Sequence, residues 1–270
     1  LQPPCDVIVA VHFADIIESL RATQLAMQHQ PAQCELIDKV ILDCTKENIK
    51  QRKNRWFIEG DPEGLLMVEF RGQSAQLGYA YPIIPSERTN QLRALRKAGL
   101  GLLANIPGDA KAVACIEDTA VALEDLPEYI EQVDEMMQRF GQRMVVYAHA
   151  GAGELHLRPI LNLKKSADVE QFYQIGEASA KLVKKYEGSL SGEHGDGRLR
   201  GAFIPLMVGE DNYQLFKRIK QTWDPQNIFN PHKIVDTPPM NTSLRYEPDV
   251  PDKKIATVFD FASTQGMLRA

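Results

Sequence analysis

The sequence predicts an α+β fold, an antiparallel β-sheet flanked by helices, from three observations. Strand-like and helix-like segments alternate along the 270 residues, several consecutive strands are separated by short turns, and glycine-rich punctuation is dense between residues 149 and 201. Parallel neighbours need a crossover of a dozen or more residues, so short links favour antiparallel pairing over a doubly wound parallel sheet. An apolar content of 44% over this length is enough to build a sizeable core.

Each element follows from its own pattern. From Cys5 to Phe13 β-branched residues alternate with others, which predicts a strand. Ala14 to Gln30 then repeats Ile16, Ile17, Leu20 and Leu25 at helical spacing, with Asp15 and Glu18 suited to the first turn. Asp38 to Ile49 reads as a short helix. Leu65 to Phe70 is an apolar strand closed by a turn at Arg71-Gly72, and Gly78 to Ile84 is a second strand almost at once. A helix is predicted over Thr89 to Asn105, stopped by Pro107-Gly108-Asp109, followed by a strand over Lys111 to Asp118 and an amphipathic helix over Glu124 to Phe140. Met144 to Ala148 is a strand that turns through His149-Ala-Gly-Ala-Gly153 into another, Glu154 to Leu161, because that turn is rich in residues that accept positive φ. Asp168 to Glu187 is a long helix, Ser189 to Arg198 a glycine-rich stretch, and Asp211 to Thr222 a last helix that Asp224-Pro225 ends. Residues 1–236 read as one domain and 237–270, with Pro238-Pro239, Pro248 and Pro251, as an extended tail. A strand-like start and this tail suggest a piece of something larger.

Composition narrows the function classes. The 31 basic and 36 acidic residues give a net charge of −5, without the basic stripe of a nucleic-acid binder. No window approaches 18 uncharged apolar residues, and the first residues lack the order of a signal peptide. The expectation is a chain without a transmembrane segment, cytoplasmic, with peripheral attachment at the inner face of the membrane still open. Cys5, Cys34, Cys44 and Cys115 form no C-x-x-C pair, so buried free thiols are expected rather than a zinc ribbon or a disulfide framework.

The chemistry-bearing residues cluster in two places. His149 and His156 flank the Gly151/Gly153 turn, so the strands it joins can bring both imidazoles toward one end of the sheet. Alternation along the second strand puts Glu154, His156 and Arg158 on one face, a layout suited to a carboxylate-bearing substrate that also touches a metal. Glu193-His194 lies among Gly192, Gly195 and Gly197, which let backbone approach a ligand closely. The glycines run G-x-x-G-x-G and match neither a Walker A loop nor a Rossmann fingerprint. Two histidines and a glutamate from separated segments, His149, His156 and Glu193, compose a catalytic zinc or manganese site with open positions. Blander readings stand beside these. His12 and His29 read as surface or satisfied polar residues, Arg93, Arg96 and Lys97 as a solvated basic helix face, and Tyr79 and Tyr81 as packing on one side of a strand.

Three longer stretches carry a resemblance. Tyr147-Ala-His-Ala-Gly-Ala-Gly-Glu-Leu-His-Leu-Arg-Pro159, Ser191-Gly-Glu-His-Gly-Asp-Gly-Arg198 and Trp223-Asp-Pro-Gln-Asn-Ile-Phe-Asn-Pro-His-Lys233 resemble, in order and spacing, the signatures of the C-terminal domain of FAD-linked oxidases. These belong to the vanillyl-alcohol oxidase and p-cresol methylhydroxylase superfamily, which includes D-lactate, glycolate and D-2-hydroxyglutarate dehydrogenases. Leu92-Arg-Ala-Leu-Arg-Lys-Ala-Gly99, Ile116-Glu-Asp-Thr-Ala-Val121 and Phe259-Asp-Phe-Ala-Ser263 are similar to the long bacterial type, in which an FAD domain precedes and an iron–sulfur domain follows this one.

The resemblance implies a ferredoxin-like α+β domain and oxidation of a D-2-hydroxy acid, D-lactate or D-2-hydroxyglutarate, to the 2-oxo acid with FAD as acceptor. It maps metal ligands onto His149, His156 and Glu193, the general base onto His194 and a carboxylate clamp onto Arg96; strand parity adds Arg158 as a second contact. Gly192, Glu193 and Asn230 are the expected contacts to the flavin. The FAD-binding and iron–sulfur domains of a full-length chain are implied partners, and the electron acceptor stays open. Departures from the pattern are Ala152 where relatives have Asp, Glu154 where they have Asn and so an extra candidate ligand, a missing substrate lysine, and no family helix between residues 71 and 78. Two other classes keep a place. A non-catalytic α+β module would bind no metal, and a free-standing metal-dependent hydrolase would act without flavin.

Overall fold

The structure is a computed structural model that describes residues 7–70, 78–251, 255–262 and 267. In chain order the elements are β1 (Val7–Phe13), α1 (Ile16–Met27), β2 (Gln33–Asp38), α2 (Lys39–Glu47), α3 (Ile49–Arg52), β3 (Gly64–Phe70), β4 (Ile83–Ile84), α4 (Thr89–Leu102), β5 (Lys111–Ala112) and β6 (Ile116–Ala120). They continue with α5 (Leu126–Arg139), β7 (Met144–His149), β8 (Glu154–Leu161), α6 (Ser166–Lys185), α7 (Ile204–Val208) and α8 (Glu210–Trp223). The chain divides into two units. The first holds Leu1–Ile106, Val121–Gln132 and Met144–His156, the second Pro107–Ala120, Val133–Arg143 and Leu157–Ala270.

The first unit is built on the antiparallel run β4-β1-β3-β2-β7. Its centre is β3, every residue of which is buried, because Leu65, Leu66, Met67 and Val68 face apolar layers on both sides. β1 pairs with it from Val7↔Phe70 to Phe13↔Gly64, and β2 from Gln33↔Glu69 to Asp38↔Gly64. Asp15 caps α1, accepting from the backbone N–H of Ile17 at 2.6 Å and of Glu18 at 3.1 Å. Asp38 does more than cap α2. One oxygen accepts from Ile41 N–H at 3.0 Å and the other from Val146 N–H at 2.7 Å, so one buried carboxyl ties β2, α2 and β7 together. Burial pushes that carboxyl up to about 7, against the hydrogen bonds from Ile41 and Val146.

The second unit pairs β8 with β5 (Lys111↔Leu161, Ala112↔Ile160) and with β6. α6 buries Phe172, Ile175, Gly176, Ser179, Ala180 and Val183, whose i, i+3, i+4 spacing forms one helical stripe. β6 is unusual for a strand. Ile116, Glu117, Asp118 and Thr119 are all buried, and Asp118 has φ of +80°. A bridge from Ala120 to Ser189 brings the glycine-rich stretch alongside it.

These elements bear out an α+β architecture with an antiparallel sheet and flanking helices. The differences are local. β2 has no counterpart in the sequence pattern, which places Asp38 in a helix and marks no element over residues 33–37. The strand expected over 78–84 shrinks to Ile83 and Ile84 plus an isolated bridge from Ala80 to His12, since Pro82 and Pro85 bring no N–H to a ladder. Tyr79 and Tyr81 are exposed there rather than packed on a sheet. The strand expected over 111–118 is two short strands, and the short helix α7 was not foreseen. The turn at Arg71-Gly72 and the question of a helix between 71 and 78 fall on residues 71–77, outside the described residues. Cys34 and Cys115 are buried free thiols and Cys44 is a half-buried one. His12 is fully buried and satisfied, its Nδ1 near the carbonyls of Ala10 (2.9 Å) and Ala80 (3.2 Å) and its Nε2 accepting from Glu59 N–H at 3.1 Å. Among the described residues no helix is long and apolar enough to cross a membrane.

Candidate functional site

In the first unit, four elements bring chemistry to one place. β7 ends on His149, and the turn that follows is closed by Gly153 at φ +70°. That left-handed turn reverses the chain so that His156 on β8 returns beside His149, their ring centroids 5.2 Å apart and nearly perpendicular. Tyr147, two residues before His149 on the same strand face, lies against His156 at 4.7 Å. From β2, Glu35 reaches His149 Nδ1 at 3.0 Å. From α4, Arg96 forms an ion pair with the same carboxylate and donates to the Ala148 carbonyl at 3.2 Å. One turn earlier, Arg93 pairs with Glu69 of β3 at 2.8 Å. Arg93 and Arg96 are therefore tied to strand carboxylates rather than solvated as their sequence suggests, while Lys97 on the same helix is exposed. Among the described residues Arg96 Nε is buried and has no hydrogen-bond acceptor. Glu154 is buried at the start of β8.

In the second unit, Asp118 organises the glycine-rich stretch. Its carboxylate accepts from the backbone N–H of Glu193 at 3.1 Å and of His194 at 2.8 Å and from the Ser191 hydroxyl, while its own carbonyl accepts from Gly192 N–H at 2.8 Å. Arg200, itself buried, closes the other side by donating to the carbonyls of Glu117 and, at 3.0 Å, Gly195. Positive φ at Gly195 (+76°) and Gly197 (+54°) lets the chain make this tight loop. Held this way, His194 is 43% exposed, with Nε2 at 3.3 Å from Glu193 and Nδ1 at 3.9 Å from both Glu117 and Asp118. The imidazole thus sits on a fixed backbone, beside three carboxylates and open to solvent. Asp118, Glu193 and His194 also stand close enough for a cation to be held among them. Arg158, on β8, is engaged in a buried ion pair with Glu117. Asn230 lies at φ +48° in the exposed segment after α8, where Asp224 accepts from Ile228 and Phe229 N–H, both at 2.9 Å.

Sequence reasoning singled out the histidines, Glu193 and the two arginines. It missed Glu35, Glu117, Asp118 and Arg200, which hold them. A signal was present: Cys34-Glu-Leu-Ile-Asp38 and Cys115-Ile-Glu-Asp-Thr-Ala120 each place carboxylates inside short apolar runs, where a charge is costly unless it has partners.

Residues 2–80 and 83–234 match the family described as FAD linked oxidases, C-terminal domain. A D-2-hydroxyglutarate dehydrogenase from Pseudomonas putida is 30% identical over 257 residues, covering 86% of this chain and 25% of that protein. A D-lactate dehydrogenase from Archaeoglobus fulgidus is 25% identical over 239 residues, covering 84% of this chain and 51% of its own length. The chain thus spans about a quarter of the D-2-hydroxyglutarate dehydrogenases it resembles. Among solved structures, 4-ethylphenol oxidase from Gulosibacter chungangensis superposes with a TM-score of 0.61 over 88% of this chain and 55% of that one. p-Cresol methylhydroxylase does so at 0.58 over 85% and 52%; both are 11% identical and speak for the fold alone. With nearly its whole described length matched, the chain belongs to the FAD-linked oxidase family and carries that family's C-terminal domain.

Proposed function

We propose that this chain is the substrate- and metal-binding portion of an FAD-dependent dehydrogenase that oxidises a D-2-hydroxy acid to the 2-oxo acid, with D-2-hydroxyglutarate the first candidate and D-lactate the second. The observation that carries the reading is the first unit's cluster: two imidazoles beside a guanidinium whose buried Nε has no acceptor. That donor set fits a divalent cation and a carboxylate together.

The residue assignments follow the motifs. His149, His156 and Glu193 would hold zinc or manganese. Arg96 takes the substrate carboxylate, with Arg158 as a second contact, and Gly192, Glu193 and Asn230 meet the flavin. His194 accepts the hydroxyl proton, and Asp118 keeps its backbone in place while it does so. When bound, FAD would supply the two-electron acceptor and the cation a Lewis acid for the hydroxyl oxygen. Family members at 28–30% identity named D-2-hydroxyglutarate dehydrogenase support this choice of substrate. Domains for FAD and an iron–sulfur cluster in a full-length chain, and a cytoplasmic location, complete the proposal.

The test is anaerobic reduction of the FAD-loaded full-length protein. D-2-Hydroxyglutarate is expected to bleach the flavin and its L-enantiomer not to. His194→Asn should slow the bleaching by about 10²–10⁴-fold, the usual contribution of a general base. Failure of every D-2-hydroxy acid to bleach it overturns the reading. Metal-replete Glu193→Ala protein with unchanged rate would overturn the ligand set alone.

A further inference from the structure

We propose that Glu35 is a positioning residue that fixes the tautomer of His149 and restrains Arg96, so that a single carboxylate sets both the metal-ligating and the carboxylate-binding groups of the first unit. The inference rests on the function proposed above.

Glu35 sits on β2 with its side chain only 15% exposed, and its two oxygens lie 3.1 and 3.0 Å from His149 Nδ1. Paired with the Arg96 guanidinium, this carboxylate has only lone pairs to offer. The proton of the Glu35–His149 contact must therefore belong to Nδ1. Arg96 Nη2 also lies 3.5 Å from the same nitrogen, at the limit of a hydrogen bond, and cannot compete with an acceptor half an ångström nearer. With Nδ1 protonated, Nε2 of His149 keeps its lone pair, the form a metal needs. A carboxylate behind a ligating imidazole also raises its basicity and holds its ring plane.

The same carboxylate acts on Arg96. Glu35 and the Ala148 carbonyl together take up its terminal nitrogen, anchoring a long flexible side chain at that end, while Nε is left without an acceptor. A guanidinium held by one carboxylate and presenting an unmet N–H is prepared to receive a second carboxylate without first losing side-chain freedom. β2 also pairs with β7 at Leu36↔Ala148 and Ile37↔Tyr147, which fixes the strand that carries Glu35 against the strand that carries His149.

Full-length Glu35→Gln protein tests it, because the amide keeps the shape and an acceptor but not the charge. In the metal-free protein with ¹⁵N-labelled histidine, the His149 signal, assigned by its loss in His149→Asn, is expected to show a protonated Nδ1 in the wild type and a mixture of tautomers in Glu35→Gln. Zinc affinity measured by chelator competition is expected to fall about 10–100-fold, the usual cost of removing such a partner, and the KM for D-2-hydroxyglutarate to rise. Glu35→Asp should recover part of both.

A purely structural Glu35 would lower the melting temperature of metal-free protein but leave tautomer and zinc affinity as they were, and that result overturns the proposal. If His149→Asn also binds zinc like the wild type, the metal reading falls together with the role of Glu35. If only Glu35→Gln is silent, Glu35 alone is misassigned.

Discussion

Two buried groups in the first unit pull its pH dependence in opposite directions. His12 is buried on β1 with Nε2 accepting a backbone N–H, and burial holds its pKa below the ordinary 6.5. A proton on Nε2 would set it against the Glu59 N–H. In the unfolded chain His12 protonates near 6.5, so its contribution is present above that pH and is lost as pH falls below it. Asp38 behaves in the reverse sense. Its folded value of about 7 lies above the ordinary 3.8, so its contribution is present below about 4 and lost as pH rises through 7. Urea midpoints measured across pH should separate the two. His12→Gln is expected to flatten the fall below 6.5, and Asp38→Asn the fall between 4 and 7, each leaving the other limb.

The turn between β7 and β8 and the strand β6 are the elements on which the site geometry depends most. At Gly153, φ is +70°, and an added Cβ would press on the Val121 carbonyl oxygen inside van der Waals contact. A left-handed conformation alone costs a non-glycine residue about 1–2 kcal/mol, so Gly153→Ala is expected to lose roughly 2–4 kcal/mol once the clash is included. Chemical denaturation measures that loss. On β6, Asp118→Ala takes away the carboxylate on which Ser191, Glu193 and His194 hang and leaves buried Arg200 short of a counter-charge 3.8 Å away. Breaking a buried pair costs about 3–5 kcal/mol, whereas Asp118→Asn, which tolerates positive φ, should fold and mainly slow the reaction. Circular dichroism and flavin reduction tell these apart.

These elements also mark what could be read in advance. Periodicity located α1, α4, α5, α6, α8, β3, β7 and β8 within a few residues, because each is long or strongly patterned. β2 escaped because Gln33-Cys-Glu-Leu-Ile-Asp38 has no clean alternation; Glu35 and Asp38 are polar for the site and the cap, not for solvent. The histidines and Glu193 were legible since short glycine-bounded motifs surround them. Glu35 meets His149 across 114 positions of sequence, and Asp118 meets His194 across 76, separations at which local pattern is silent.

Considered whole, the chain interleaves its two units. α5 and β8 each begin in the first and end in the second. Melting one unit would break a helix and a strand the other also uses, so unfolding is expected as one transition. The two tryptophans supply the measurement, Trp56 lying in the first unit and Trp223 in the second. Fluorescence of Trp223→Phe and Trp56→Phe proteins should give coincident urea midpoints, and separated midpoints would mean that the units melt independently.

The same interleaving governs how the gene can be handled. No contiguous stretch of codons specifies either unit, because each is assembled from three separate segments. A fusion junction, a split-reporter break or a shuffled crossover placed at a unit border inside the chain would hand one partner an incomplete sheet. Exchange of this domain between relatives has to carry residues 2 to 234, the span that the family matches, as one cassette.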